Sequence, residues 1–281
     1  MQTYGDDALD AVDVNLKRQK RDVLRGASLR LRPGEVVCLL GANGAGKSSF
    51  LSVLAGELQP ARPDKGDCAV ALNGRPLSAL SVAQQARHRA VLPQIPGLAF
   101  DLRVDEVVAM GAYPYPELAA HDVDALAGRA LRLAGIAELG ERRYPQLSGG
   151  EQQRVQFARA LAQVLAGRQA DPGGRYLLLD EPTSSLDPLH QQELLETVAG
   201  LAREHGIGVL AVLHDVNLAA MWADRIALLA DGALLACGAP SEVLTPGNLR
   251  RVYGTRVLVM PHPLKPARPL VVFGYSSSYD E

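Results

Sequence analysis

The octet Gly41-Ala-Asn-Gly-Ala-Gly-Lys-Ser48 fits the pattern G-x-x-x-x-G-K-[ST] at every fixed position. Before it runs Glu35-Val-Val-Cys-Leu-Leu40, a short apolar stretch that reads as a buried strand. After it, Phe50, Leu51 and Leu54 recur at helical spacing. A strand, a glycine-rich turn and a helix in that order restrict the core to an α/β fold of the P-loop type. The glycines let backbone N–H groups turn inward and approach phosphate oxygens without Cβ clashes. The helix N-terminus adds partial positive charge. Gly41, Asn43, Gly44, Ala45, Gly46, Lys47, Ser48 and Ser49 are therefore the expected nucleotide-binding residues. Lys47 is placed to reach the β- and γ-phosphates, and the Ser48 hydroxyl to ligate Mg²⁺.

A phosphate loop needs a carboxylate to anchor its metal. Tyr176-Leu-Leu-Leu-Asp180-Glu181 supplies an apolar strand followed by two acids. Asp180, at the strand end, is expected to hold Mg²⁺; Glu181, one residue on, points differently and can orient or deprotonate an attacking water. Gln94 follows the apolar run Ala90-Val-Leu and carries an amide able to reach metal or water. His214 ends the strand Val209-Leu-Ala-Val-Leu and projects toward the same edge of the sheet. Alone, a glutamine or histidine of this kind is more often a surface or structural residue; its order relative to the other motifs makes it a site residue. A second glycine turn, Leu147-Ser-Gly-Gly-Glu-Gln-Gln-Arg154, also seeks an anion. It has no obvious use inside a chain that already holds the first, and makes sense as the lid over a nucleotide carried by another copy.

In this order and spacing the chain resembles the nucleotide-binding subunits of ATP-binding-cassette (ABC) transporters. The correspondence runs through Walker A at Gly41 to Ser48, the Q-loop at Gln94, the signature at Leu147 to Glu151, Walker B at Leu177 to Glu181, the D-loop at Ser185-Leu-Asp187 and the H-loop at His214. The resemblance implies a P-loop NTPase core with an N-terminal antiparallel β-subdomain and an inserted helical subdomain. It implies ATP and Mg²⁺ as ligands, with Ser48, Gln94 and Asp180 around the metal and Glu181, His214 and Gln94 catalytic. A head-to-tail dimer is implied as well, each ATP lying between one Walker A and the partner's Ser148, Gly149 and Gly150, with Asp187 reporting across the interface. One departure concerns adenine. Many members stack it on an aromatic residue in the first hairpin; here that stretch is Lys17-Arg-Gln-Lys-Arg21, and the position falls on Arg18. Its guanidinium plane could stack on the base; a solvated basic turn is the alternative.

At 281 residues, the chain is long enough for a large core. A net charge of −2 leaves no basic excess for nucleic acid. No apolar run approaches the ~20 residues of a membrane span, residues 1–10 are acidic rather than signal-like, and Cys38, Cys68 and Cys237 are scattered as free thiols would be. Val12, Val14 and Leu16, then Ala27, Leu29 and Leu31, alternate as in a hairpin. The expected cassette covers 1–255, its helical lobe about 95–150. Residues Gly167 to Gly174 read as a surface insertion, and 256–281 as a C-terminal hairpin around a proline-rich turn, with a tail.

Three further segments, Val104-Asp-Glu-Val-Val-Ala-Met-Gly-Ala-Tyr-Pro-Tyr115, Leu213-His-Asp-Val-Asn-Leu-Ala-Ala220 and Gly238-Ala-Pro-Ser-Glu-Val-Leu-Thr245, are similar to the ABC subfamily serving iron chelates, haem and cobalamin. Within it, Arg89 to Gln94, Gly173 to Asp180 and Pro261-His-Pro263 are most like haem (hemin) importers. That resemblance implies a permease dimer docked on the helical lobe within Ile95 to Tyr115, a periplasmic haem-binding protein acting indirectly, and a peripheral place on the cytoplasmic face of the bacterial inner membrane. Ferric siderophore and cobalamin are the alternative cargoes. A permease-free ABC ATPase working on nucleic acid or ribosomes is the distant alternative, disfavoured by a single Walker A, a single signature and no heptad run.

Overall fold

The structure, a computed structural model, describes residues 7–19, 21–61, 69–94, 101–168, 171 and 173–274. Lys20, Cys68, Ile95 to Phe100 and the tail 275–281, all invoked above, lie outside the described residues. Strands β1 (Leu9–Arg18) and β2 (Arg21–Leu31) form the expected antiparallel hairpin. Its alternation is interrupted at Asp13, a residue at φ +49°, where the register shifts between Ala11 and Val14. Next come β3 (Val36–Gly41), α1 (Lys47–Leu54), β4 (Val70–Leu72), β5 (Arg75–Pro76), α2 (Val82–His88) and β6 (Arg89–Leu92). Helices α3 (Val104–Ala109), α4 (Ala120–Leu133) and α5 (Gly149–Leu165) follow, then β7 (Arg175–Asp180), α6 (Pro188–His205), β8 (Ile207–Val212) and α7 (Val216–Trp222). The chain continues through β9 (Arg225–Ala230), β10 (Ala233–Gly238), α8 (Pro240–Val243), α9 (Pro246–Tyr253), β11 (Val257–Pro261) and β12 (Pro269–Phe273).

Two sheets carry the core. One has the order β2-β1-β4-β5, and the other β10-β9-β3-β8-β7-β6. In the larger sheet β9, β3, β8, β7 and β6 run parallel, and β10 alone is antiparallel to its neighbour. A parallel sheet must be covered on both faces, so its strands read as continuous apolar runs rather than alternations. Every residue of β3, β7 and β8 is buried. Successive side chains go to opposite layers. Val36, Cys38, Leu40, Leu177 and Leu179 join the helical layer with Phe157, Leu161, Leu195 and Ala219. Val37, Leu39, Tyr176 and Leu178 join α1 and the antiparallel sheet through Phe50, Leu51, Leu9 and Leu24.

The stretch read as a surface insertion differs from that expectation. Its described residues are partly exposed apart from buried Gly174, yet the stretch is tied down, because Arg175 at the start of β7 is 1% exposed and needs acceptors. The Arg175 guanidinium donates to the Ala166 carbonyl at 2.7 Å, to the Asp171 carbonyl at 2.9 Å and to the Tyr115 hydroxyl. Tyr115 in turn donates to the Arg87 carbonyl at 2.6 Å, and a Cβ on Gly167 would collide with its ring. The segment between α3 and α4 is thereby bolted to the strand that ends in Asp180. Removing a buried partner leaves charge-assisted bonds unmade, at about 1.5–3 kcal/mol each. We expect Arg175→Met to lose about 3 kcal/mol of unfolding free energy in urea titrations, and Tyr115→Phe a smaller part of it; a loss below about 0.5 kcal/mol, the range of ordinary surface substitutions, would show the bolt to be idle.

Candidate active site

Each expected site residue except Arg18 and those of the second glycine turn and D-loop comes from the carboxyl edge of the parallel strands. Gly41 ends β3, Gln94 follows β6, Asp180 ends β7 and His214 follows β8. The glycines of the phosphate loop are geometric necessities. Gly44 and Gly46 lie at φ +79° and +103°, and a Cβ on Gly46 would come within 2.8 Å of the Val23 carbonyl oxygen. Gly46 is the N-cap of α1 and provides no side-chain cap, so the first amides of that helix are left for an anion. Lys47 folds back over the loop, donating to the Gly41 carbonyl at 2.8 Å and the Ala42 carbonyl at 3.1 Å. Burial holds its ammonium below the usual lysine range, with Glu181 and Asp180 opposing that shift. Ser48 donates from its hydroxyl to an Asp180 carboxylate oxygen at 3.2 Å. Burial raises the Asp180 carboxyl and the neighbouring Glu181 charge adds to it, while the Ser48 hydrogen bond and Lys47 pull it down.

The two consecutive acids part company through the backbone. Glu181 sits at φ +51°, an uncommon conformation for a residue with a Cβ. Its N–H donates to the Val212 carbonyl at 3.1 Å, and its carbonyl accepts from the Gln153 amide at 3.3 Å and the Ser184 hydroxyl at 3.1 Å. So held, its carboxylate leaves Asp180 and meets two other side chains. Gln94 Nε2 donates to one oxygen at 2.7 Å, and His214 Nε2 lies 2.6 Å from the other. Glu181, Gln94 and His214 therefore form one cluster, and Lys47, Ser48 and Asp180 another beside it.

The second glycine turn begins α5, with Ser148 as N-cap. The Ser148 N–H and hydroxyl both donate to the Glu151 carboxylate at 2.7 Å, and the Glu151 N–H donates to the Ser148 hydroxyl oxygen at 3.4 Å. Those bonds hold the Glu151 carboxyl below its ordinary range. A Cβ on Gly149 would meet open space, whereas one on Gly150 would press on the Ser185 carbonyl at 3.1 Å. Among the described residues, this turn makes no hydrogen bond to the phosphate loop. Asp187 caps α6 and bonds His190 through its backbone N–H at 3.0 Å and its ring at 2.8 Å, contacts that lower the Asp187 carboxyl. Arg18 is exposed at the end of β1, opposite Arg21.

Sequence reasoning missed three supports of the site. Gln153, 5% exposed, pins the Glu181 carbonyl from within the signature run. His190 follows Asp187 at the spacing of a helix cap, which was a readable signal. Tyr253, at the end of α9, hydrogen-bonds the Gly41 backbone, and burial pushes its phenol up to about 12; no local pattern announces that contact.

Residues 24–184 match the model of the ABC transporter family. The chain belongs to that family. The Hemin import ATP-binding protein HmuV of Bordetella avium is 56% identical over 94% of this chain and 98% of its own length. That of Burkholderia thailandensis is 49% identical over 89% and 94%. Among solved structures, the dimeric MJ0796, a bacterial ABC transporter cassette, is 25% identical with a TM-score of 0.67, covering 82% of this chain and 98% of that one. The ligand of an ABC cassette is ATP, which suits the amides, the lysine and the open helix end of this loop.

Because Gly46 combines a positive φ with a close carbonyl, Gly46→Ala must strain the loop or displace β2. The expected outcome is a loss of about 1–3 kcal/mol in stability and at least tenfold weaker ATP binding by calorimetry. Unchanged affinity would mean that this loop geometry does not govern nucleotide binding.

Proposed function

We propose that this chain is the ATP-hydrolysing subunit of a haem (hemin) importer, working as an ATP-sandwiched dimer beneath a membrane permease. The observation that carries the ATPase reading is Glu181 held between Gln94 and His214 beside the phosphate loop. The cargo reading rests on the hemin-import relatives, which match this chain over nearly their whole length.

The proposed steps follow from the groups present. ATP phosphates draw the Lys47 ammonium from the Gly41 and Ala42 carbonyls. The amides opening α1 donate to the remaining phosphate oxygens. Ser48, Asp180 and the amide oxygen of Gln94 are hard oxygen donors, the set that suits Mg²⁺; Ser48 and Asp180 already lie within hydrogen-bond distance. When bound, Mg²⁺ supplies charge neutralisation at the phosphate oxygens. Glu181 accepts the proton of the attacking water as the water oxygen bonds to the γ-phosphorus and the bond to the β-phosphate oxygen breaks. His214 and Gln94 hold that carboxylate in place. A second copy supplies Ser148, Gly149 and Gly150 over the γ-phosphate, so ATP closes the dimer and hydrolysis opens it. The dimeric cassette among the related structures supports this arrangement. Among the described residues no helix is long and apolar enough to cross a membrane, which suits a peripheral subunit carried on a permease at the cytoplasmic face of the inner membrane. A periplasmic haem-binding protein would deliver the cargo without touching this chain.

Glu181→Gln should bind ATP and dimerise yet hydrolyse at least about 100-fold more slowly, the lower end of the range for losing a general base; full turnover would falsify Glu181 as the base. Growth of a deletion strain on iron-limited medium tests the cargo. Failure on haem alone, rescued by the intact chain and not by Lys47→Ala, is the expected result. Failure only on a ferric siderophore or on cobalamin would reassign the cargo and leave the ATPase standing.

A further inference from the structure

At the amino end of β3, opposite the phosphate loop, lies a cavity of about 240 Å³ lined by Arg203, Met221, Trp222, Asp224, Lys265 and Arg268 among others. Its walls come from the C-terminal end of α6, the end of α7 and the turn between β11 and β12. Three cations share it. Arg268 is fixed there, its guanidinium donating to the Ala223 carbonyl at 2.6 Å. The Lys265 ammonium stands 5.4 Å from the centre of the Trp222 ring, within cation–π range. Arg203 approaches from α6. Among the described residues none of the three is ion-paired with a carboxylate. The one acid of the cavity, Asp224, already accepts the Val36 N–H at 2.9 Å. Like charges gathered in one small hollow repel, and a bound anion relieves that repulsion.

The remaining wall is flat and apolar. Trp222 is half-buried, and its ring is pinned by a bond from Nε1 to the Gln192 amide oxygen at 3.0 Å. A fixed indole face beside three cations is a recognition surface for a ring that carries a charge. The volume is below the ~300–1,000 Å³ of pockets for drug-sized ligands, so it admits about one ring and one acidic group. We propose that this cavity binds a small aryl or heteroaryl anion, a phosphate or carboxylate on a single flat ring, and that the ligand ties α6 to the C-terminal hairpin. The site lies at the opposite end of β3 from Gly41, so such a ligand does not compete with ATP.

Trp222 is the chain's single tryptophan, so its emission reports this cavity alone. The test titrates phenyl phosphate into the full chain with the phosphate loop saturated by ADP. The expected result is a saturable change in tryptophan emission with half-saturation on the order of 0.1 mM at low ionic strength, weakening as salt rises. Arg203→Ala and Lys265→Ala should each weaken it about tenfold, the worth of one charge-assisted bond, while ATP turnover persists. Phenyl phosphate should also raise the melting temperature of the unaltered chain, a readout that needs no variant. Absence of any saturable change, or an undiminished one in the double variant, would overturn the site. Equal binding of inorganic phosphate would overturn the role given to the indole face.

Discussion

The register of β7 between β6 and β8 is the constraint on which the Glu181, Gln94 and His214 cluster depends. Leu92 pairs with Leu179, Leu179 with Ala211, and Asp180 with Val212. Gln94, Glu181 and His214 therefore leave the sheet at one level, one from each of three adjacent strands. A slip of one residue would turn every side chain of β7 to the other layer, putting Tyr176 and Leu178 where Leu177 and Leu179 now pack. Two apolar layers forbid that slip more firmly than any contact within the site. Precision at Glu181 is thus inherited from leucines and valines that never touch a nucleotide.

Register alone would send Asp180 and Glu181 to opposite faces. The left-handed turn at Glu181 redirects the second acid along the sheet edge instead. Such a conformation costs of order 1–3 kcal/mol and persists only where its surroundings over-determine it. Four hydrogen bonds to the Glu181 backbone do so here, from or to Val212, Gln153 and Ser184. Gln153 belongs to α5, whose first residues form the glycine turn. Any shift of α5, such as the proposed meeting of that turn with a nucleotide would bring, would consequently be felt at the backbone of Glu181. Gly150, packed under the Ser185 carbonyl, links the same turn to the loop before Asp187.

The parts of the candidate site legible in the sequence are those whose proposed chemistry needs fixed residue types at short spacing. Gly41 to Ser48, Asp180-Glu181 and the turn at Ser148 are of that kind, and the expected α/β core with its N-terminal hairpin follows from apolar runs flanking them. The contacts that were not visible are long-range. Arg175 reads as a charge ahead of a strand, yet it is buried and held by Tyr115, sixty residues away. Its partners Ala166 and Asp171 sit at the edge of and within a Gly-rich stretch whose composition signals a loop and is silent about packing. Tyr253 on the Gly41 backbone and the paired bonds between Asn217 and Val271 are tertiary in the same sense. Positive φ at a glutamate has no sequence signal at all.

In the proposed mechanism the electrostatics of the phosphate loop tie nucleotide and metal together. Burial disfavours the charged form of both Lys47 and Asp180, each of which works only when charged. In the proposed mechanism a triphosphate would bring negative charge to Lys47 and a divalent cation positive charge to Asp180, so each ligand would restore the form that the other needs nearby. Either alone would leave the second group in an unfavourable field. The carbonyl bonds of Lys47 and the Ser48–Asp180 bond are the arrangement that tolerates this conflict until both arrive. In the proposed dimer, closure would then answer to the nucleotide–metal complex rather than to free phosphate or free metal.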